Sequence, residues 1–325
     1  MDIRILQAVK SSRAFKQFEK EMEKETSQTF LFTSDDETML EAFVTLAECK
    51  AYCNDVCLTC NECRKVINKN KYDVIVVNPD DEAFGVREMR EKFVNNAYVA
   101  AVEGGKKIYV VRKFSELNLS NQNTLLKTLE EPPEKVLIFL TSLSVEGILP
   151  TVLSRVSKLP LPPFDKDVLA SLLKKMGVAN AEDIAVCSRG NLTLALKLSS
   201  DDSFITKASE LASVLLSVKG SGDVPKYLYS PVFSDLNEAL FIIERIFSDL
   251  LYLTADLEDN ITIRELRYVY DDLKEELDRN AIAAMMEKVN EAEKKLRMNC
   301  IIVNVVDDLL LKLAEEKAKC KKLSE

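Results

Sequence analysis

The sequence predicts an α/β fold with a parallel sheet, followed by an entirely helical region. Short apolar strands alternate with helices up to about residue 163, no strand pattern follows, and only 8 Gly and 9 Pro occur in 325 residues. Strands that are apolar almost throughout are typical of a parallel sheet covered by helices on both faces. The scarcity of Gly and Pro favours long helices with short connections.

The elements follow in a regular order. Residues 1–26 predict one amphipathic helix, and TFLFTS (29–34) predicts a buried strand. The next helix begins with SDDE, where Ser34 or Asp35 is the expected N-cap. Three further strands and two helices are then predicted: YDVIVVNP (72–79), GVREMREKFVN (85–95), KKIYVV (106–111), LSNQNTLLKTLEE (119–131, ended by two prolines) and KVLIFLTS (135–142).

The strand pattern ends at LPLPPF (159–164), and the remaining residues, about 160, have helical periodicity. A chain of this length is expected to form two or three domains. We expect boundaries that divide it into residues 1–163, 164–200 and 201–325, the last of them near the polar stretch SSDDS.

Charge and hydropathy exclude several classes of protein. The formal net charge of −9 argues against a protein that coats nucleic acid, because affinity for phosphate accumulates from Lys and Arg. The N-terminus lacks the apolar segment of a secretory signal, and no apolar run approaches the roughly 20 residues that cross a bilayer. We therefore expect a cytoplasmic protein.

Five cysteines lie within fifteen residues: Cys49, Cys53, Cys57, Cys60 and Cys63. In a cytoplasmic chain this density favours a metal over disulfides. Zinc takes four tetrahedral ligands, and the absence of histidine makes the expected site all-thiolate and structural. Cys57, Cys60 and Cys63 have knuckle spacing, and either Cys49 or Cys53 supplies the fourth thiolate.

Two motifs accompany the knuckle. N-x-L-L-K-x-L-E-E-P-P spans residues 123–133, and L-P-T-x-x-S-R comprises Leu149, Pro150, Thr151, Ser154 and Arg155. Together with the knuckle they resemble the bacterial clamp-loader family of the AAA+ ATPases, although Val156 replaces the family's cysteine. In that family eight residues separate the first two knuckle cysteines. Seven precede Cys57 when counted from Cys49 and three from Cys53, so the resemblance implies Cys49, with Cys53 as the alternative.

The resemblance implies an AAA+-like sheet domain with a zinc knuckle (1–163), a small helical lid domain (164–200) and an all-α collar domain (201–325). An ATPase of this class needs G-x-x-x-x-G-K-[ST] after its first strand. This chain has FLFTSDDETML, which places Asp35, Asp36 and Glu37 where phosphates would bind. Arg112 and Lys113 follow the IYVV strand in place of the acids that organise magnesium. We expect neither ATP binding nor ATP hydrolysis by this chain.

An arginine in a chain without its own nucleotide is available to a neighbouring chain. The resemblance implies that Arg155, oriented by Ser154, acts in trans as an arginine finger on the ATP of an adjacent subunit. The implied partners are ATP-binding motor subunits, a δ subunit, the sliding clamp and primed DNA, within the DNA polymerase III holoenzyme. The alternative for Arg155 is that it caps a helix end or makes a surface salt bridge. Alternatives for the whole protein are a zinc-dependent nucleic-acid-binding regulator with an inactive ATPase fold, and an ATPase with a diverged phosphate loop.

Overall fold

The structure is a computed structural model, which describes residues 1–24, 27–77, 86–178, 180–200, 203–298 and 300–324. Parts of the predictions above fall on residues outside these ranges, namely 25, 26, 78–85, 179, 201, 202, 299 and 325. The chain divides into two compact units, Met1–Leu196 and Lys197–Glu325.

A five-stranded parallel sheet forms the centre of the first unit. Its strands are β1 (Thr29–Thr33), β2 (Val74–Val77), β3 (Lys107–Val111), β4 (Val136–Ser142) and β5 (Ser157–Pro160). The spatial order is β2-β3-β4-β1-β5, and Leu31 of β1 lies opposite Leu140 of β4 and Lys158 of β5. The parallel α/β sheet predicted from the alternating apolar segments is confirmed.

Both faces of the sheet are buried along its three central strands, β1, β3 and β4, as is typical of parallel strands. Because side chains alternate along a strand, one face carries Phe30, Phe32 and Phe139 and the other carries Leu31, Ile138 and Leu140. The first face packs against Phe18, whose ring makes edge-on contacts with Phe30 at 5.2 Å and Phe32 at 5.6 Å between centroids. Each fully buried side chain of this size contributes about 1.5–3 kcal/mol through apolar burial.

Helices cover the sheet and extend beyond it in sequence. In chain order they are α1 (Ile3–Lys10), α2 (Arg13–Glu23), α3 (Glu37–Tyr52), α4 (Asn61–Ile67), α5 (Val86–Met89), α6 (Leu119–Glu130), α7 (Pro150–Leu153), α8 (Lys166–Lys175), α9 (Ala181–Cys187) and α10 (Leu192–Ser200). A π-helical turn, Arg90–Asn95, continues α5. The boundary between the two compact units falls within α10.

Three local predictions were wrong. Residues 1–26 contain two helices, because the Ser12 hydroxyl accepts a hydrogen bond from the Phe15 amide and thereby starts α2. The N-cap of α3 is Asp36, whose carboxylate accepts from the Met39 amide, and not Ser34 or Asp35. Strand β5 was missed, since it has only four residues, ends in Pro160 and pairs on one side only.

The second unit is helical throughout its described residues. Besides the end of α10 it contains α11 (Ser203–Ser217), α12 (Leu236–Thr254), α13 (Arg267–Glu276), α14 (Arg279–Arg297) and α15 (Ile302–Ser324). Helix α12 is central and carries the buried carboxylate of Asp249, which accepts hydrogen bonds from the Thr262 and Ile263 amides and the Tyr270 hydroxyl. None of the helices in the described part of the chain has the length and apolar character of a membrane span.

Candidate functional site

The cysteine knuckle lies between α3 and α4. Cys53 follows the last residue of α3, and Cys60 is the N-cap of α4, where its sulfur accepts a hydrogen bond from the Cys63 amide at 3.4 Å. The Cys57 sulfur accepts from the Cys60 amide at 3.3 Å. Val56 and Leu58 have left-handed backbone, with φ of 44° and 63°, and their side chains are buried. The loop between α3 and α4 is therefore compact, and the Cys57 and Cys60 sulfurs lie close to backbone amides three residues further on.

Four thiols converge at this loop. The sulfurs of Cys53, Cys57, Cys60 and Cys63 all lie within 4.8 Å of one another, and those of Cys53 and Cys57 are 3.8 Å apart. Four thiolates at about 2.3 Å from one Zn²⁺ in a tetrahedron are about 3.8 Å from each other. Hydrogen bonds from Thr59 and Cys60 lower the pKa of Cys57 to about 6, which favours the thiolate. The donor set and its spacing fit zinc.

Cys49, the preferred fourth ligand in the sequence analysis, is not a member of this group of four. It is fully buried on α3, and burial raises the pKa of its thiol to about 12 while an interaction with Cys63 acts in the opposite direction. The geometry favours Cys53, the alternative ligand. The spacing argument did not reveal this, because Cys49 and Cys53 stand one helical turn apart and both face the knuckle.

Charged contacts that the sequence did not reveal fix the knuckle to the sheet. The Lys71 ammonium, only 4% exposed, is paired with Glu62 of α4 at 2.6 Å and with Glu103, and lies 4.4 Å from the centre of the Tyr52 ring. The buried Asp73 carboxylate accepts hydrogen bonds from the amides of Val102 at 2.6 Å and Glu103 at 2.9 Å. These contacts join the knuckle to the start of β2 and to the loop before β3.

At the position of a phosphate loop, between β1 and α3, the structure places the buried carboxylate of Asp36. It accepts hydrogen bonds from the Met39 amide at 2.9 Å, the Thr193 hydroxyl at 2.7 Å and the Leu192 amide. The Thr38 amide donates to the Thr193 hydroxyl at 2.8 Å. In phosphate-loop proteins the amides of this first helical turn bind phosphate. Here the Thr38 and Met39 amides donate to side chains of the same chain.

A cavity of about 190 Å³ lies beside α3 at the carboxyl ends of β3 and β4. Arg112 and Lys113 line it from β3, and Thr141 and Ser142 line it from β4. Glu41 of α3 is 3.5 Å from the Arg112 guanidinium. A magnesium site needs carboxylate oxygens, and at the end of β3 the chain provides two cations.

Arg155 lies at the surface, one residue beyond Ser154, the C-cap of α7. Its Nε donates to the Glu130 carboxylate at 3.0 Å, and its Nη1 donates to the Thr151 carbonyl at 2.9 Å and to the Ser154 hydroxyl at 3.3 Å. The side chain of Glu130 is 57% exposed. Within the single chain Arg155 thus makes the surface salt bridge that was the alternative to a finger, and Ser154 contacts it directly.

Comparison with known proteins places these features in a family. A model described as "DNA polymerase III, delta subunit" matches residues 10–165. The DNA polymerase III subunit delta' of Bacillus subtilis (strain 168) is 24% identical over 311 residues, which are 89% of this chain and 91% of that protein. Residues 10–165 thus match a DNA polymerase III delta-subunit family, and nearly the whole chain is similar to a delta' subunit.

Two further similar proteins are matched to different extents. The tau subunit from the same Bacillus strain is 25% identical over 318 residues, and the match covers 85% of this chain but 55% of tau. A solved structure of a DNA polymerase III gamma subunit-related protein from Thermotoga maritima is 16% identical, with coverage of 94% and 99% of the two chains and a TM-score of 0.41.

Proposed function

We propose that this chain is a non-catalytic, δ′-type subunit of the replicative clamp loader in DNA polymerase III holoenzyme. The observation that carries the proposal is the Asp36 carboxylate at the N-terminus of α3, in a chain of the clamp-loader family. A triphosphate at that helix start would meet a buried negative charge and amides that already have partners. The subunit has no ATPase activity of its own and works in the cytoplasm.

Its partners follow from this role. ATP-binding motor subunits and a δ subunit complete the loader, which opens the sliding clamp and places it on primed DNA. Residues 1–163 form the AAA+-like domain, 164–200 a lid and 201–325 the collar that joins the subunits. Structural zinc, held by Cys53, Cys57, Cys60 and Cys63, maintains the knuckle.

Arg155 is the residue through which the subunit acts on ATP. Its ion pair with Glu130 is at the surface, and such pairs contribute only about 0–1 kcal/mol, so the guanidinium is free to exchange Glu130 for a phosphate. The planar cation then stabilises charge on the γ-phosphate that a neighbouring subunit binds, and Ser154 orients it.

The test is ATP turnover by the reconstituted loader with clamp and primed DNA. We expect Arg155→Ala to reduce turnover at the site it completes by roughly 10³ to 10⁵, with assembly intact by native mass spectrometry. Arg87→Ala is the matched control, because Arg87 also donates through Nε to a glutamate on the surface, Glu91 at 2.9 Å. Unchanged turnover in an intact Arg155→Ala complex would refute the finger.

A further inference from the structure

The knuckle contains five thiols, whereas a tetrahedral zinc site has four positions. Cys49 lies four residues before Cys53, and its carbonyl accepts a hydrogen bond from the Cys53 amide at 2.8 Å. Cys49 lies in the last turn of α3 and Cys53 is the C-cap of this helix, so both thiols belong to the end of α3. The Cys49 thiol interacts with Cys63, and the sulfurs of Cys53 and Cys60 lie nearby.

The other three ligands have no such substitute. Cys57, Cys60 and Cys63 are held by the loop and the start of α4, where the Cys60 and Cys63 amides donate to the preceding thiols. Among the described residues, the remaining cysteines with described side chains are Cys300 and Cys320, both in the second unit. Among the side chains that the structure describes, only the end of α3 therefore offers the group a second thiol.

We propose that the fourth coordination position accepts either Cys53 or Cys49, so that loss of one leaves the zinc bound by the other. This inference rests on the proposed zinc site. In the structure Cys53 completes the group of four thiols. Cys49 is a buried fifth thiol that interacts with Cys63. A change in the side-chain rotamers at the end of α3 exchanges the two, since the Cys49 thiol already interacts with Cys63 of the group.

The experiment measures zinc per chain and zinc affinity for the full-length protein and its serine variants. We expect Cys53→Ser and Cys49→Ser each to retain one zinc, with affinity within about 10-fold of the unaltered chain. Cys57→Ser and the double variant Cys49→Ser/Cys53→Ser should lose at least about 100-fold, because even supporting contacts of a metal site contribute about 10- to 100-fold. Cys300→Ser, exposed and in the second unit, controls for thiol loss.

Cobalt substitution supplies a second readout. Tetrahedral thiolate coordination gives Co²⁺ sulfur charge-transfer and visible bands, and we expect both single variants to retain the four-thiolate spectrum. If either single variant loses zinc as completely as Cys57→Ser while remaining folded by circular dichroism, that cysteine alone is the fourth ligand and the proposal is wrong. If the unaltered chain binds no zinc, the zinc site itself is wrong and this inference falls with it.

Discussion

Asp36 shows how much one side chain contributes at this site. Its carboxylate is buried and accepts hydrogen bonds from the N-terminal turns of two helices, α3 through Met39 and α10 through Leu192 and Thr193. Helix N-termini carry partial positive charge, and hydrogen bonds to an ionised acceptor are about twice as strong as neutral ones. Asp36 thereby connects residues 192 and 193 to the start of α3.

We expect Asp36→Ala to lower the free energy of unfolding of the first unit by about 2–4 kcal/mol. Loss of a cap costs about 0.5–2 kcal/mol, and amides left without partners in a buried position cost about 1–3 kcal/mol more. Urea denaturation measures the change. Asp35→Ala is the matched control, because the Asp35 side chain is exposed and its removal should change stability by less than about 0.5 kcal/mol. Equal effects of the two substitutions would contradict the role of Asp36.

The sequence indicated part of this site. The carboxylates at 35–37 predicted that phosphate would be disfavoured, since charge can be taken directly from residue types. The contact between Asp36 and Thr193 was not predictable, because 157 residues separate them and only the fold brings them together. The same holds for Lys71 and Glu103, whose pairing beside the knuckle depends on the path of the chain around β2.

Helices α14 and α15 are joined by a network of ion pairs. Glu291 accepts from Lys288 at 2.9 Å and from Lys312 at 2.8 Å, and Lys312 also contacts Asp308 at 3.0 Å. Acids and bases interleave along these helices, and the pairs of Glu291 and Asp308 with Lys312 neutralise part of this charge within the chain, as on a solvated helix face.

This network predicts a pH dependence. Hydrogen bonds from Lys312 and Lys288 lower the pKa of Glu291 to about 2, below its ordinary value of 4.5. The folded state therefore prefers the ionised form, and the stabilisation is complete above pH 4.5 and is lost as the pH falls towards 2. We expect the amides of α14 and α15 to lose hydrogen-exchange protection more steeply than in Glu291→Gln as the pH falls from 4.5 towards 2.

Two controls separate this effect from general acid unfolding. Glu287→Gln removes an exposed carboxylate of the same helix and should follow the unaltered chain. High salt screens exposed pairs and should reduce the difference between the unaltered chain and Glu291→Gln. Identical pH profiles for Glu291→Gln and the unaltered chain at low salt would show that the network contributes nothing.

How well the sequence predicted each strand and helix depended on the length of the element and its position in the fold. Strands β1, β3 and β4 are long and buried on both faces, so their apolar runs identified them. β5 has the sequence SKLP and lies at the sheet edge, where one side needs no partner and polar residues are tolerated. The break between α1 and α2 depends on one serine, which helical periodicity does not distinguish from a surface position.

At the scale of the molecule, the four clustered thiols belong to one compact unit, Met1–Leu196. Zinc binding to a folded site adds its free energy to folding, about 2.7 kcal/mol at 100 times Kd. We expect a chelator to reduce hydrogen-exchange protection in α3, α4 and β2, while α12 and α13 of the second unit keep theirs. Loss of protection to the same extent in α12 would show that the metal stabilises the whole chain.

The sequence did not predict that residues 164–196 belong to the same compact unit as the sheet. The change from alternating strands to helices near residue 163 was visible, but contacts decide which helices belong to which unit. Asp36 provides one such contact, and Gly190 provides another, since its carbonyl accepts from the Phe164 amide at 2.9 Å. Gly190 has φ of 83°, and a Cβ there would lie 2.1 Å from the Phe164 oxygen, so this approach needs glycine.

The carboxylate that joins α3 to α10 differs from any dissociable anion in one respect. A bound solute occupies its site according to its abundance, whereas Asp36 is tethered to the backbone and is present at a fixed, high effective concentration. The occupancy of this position does not vary with the concentration of any solute. The contact between these two helices is therefore made without a bound ligand.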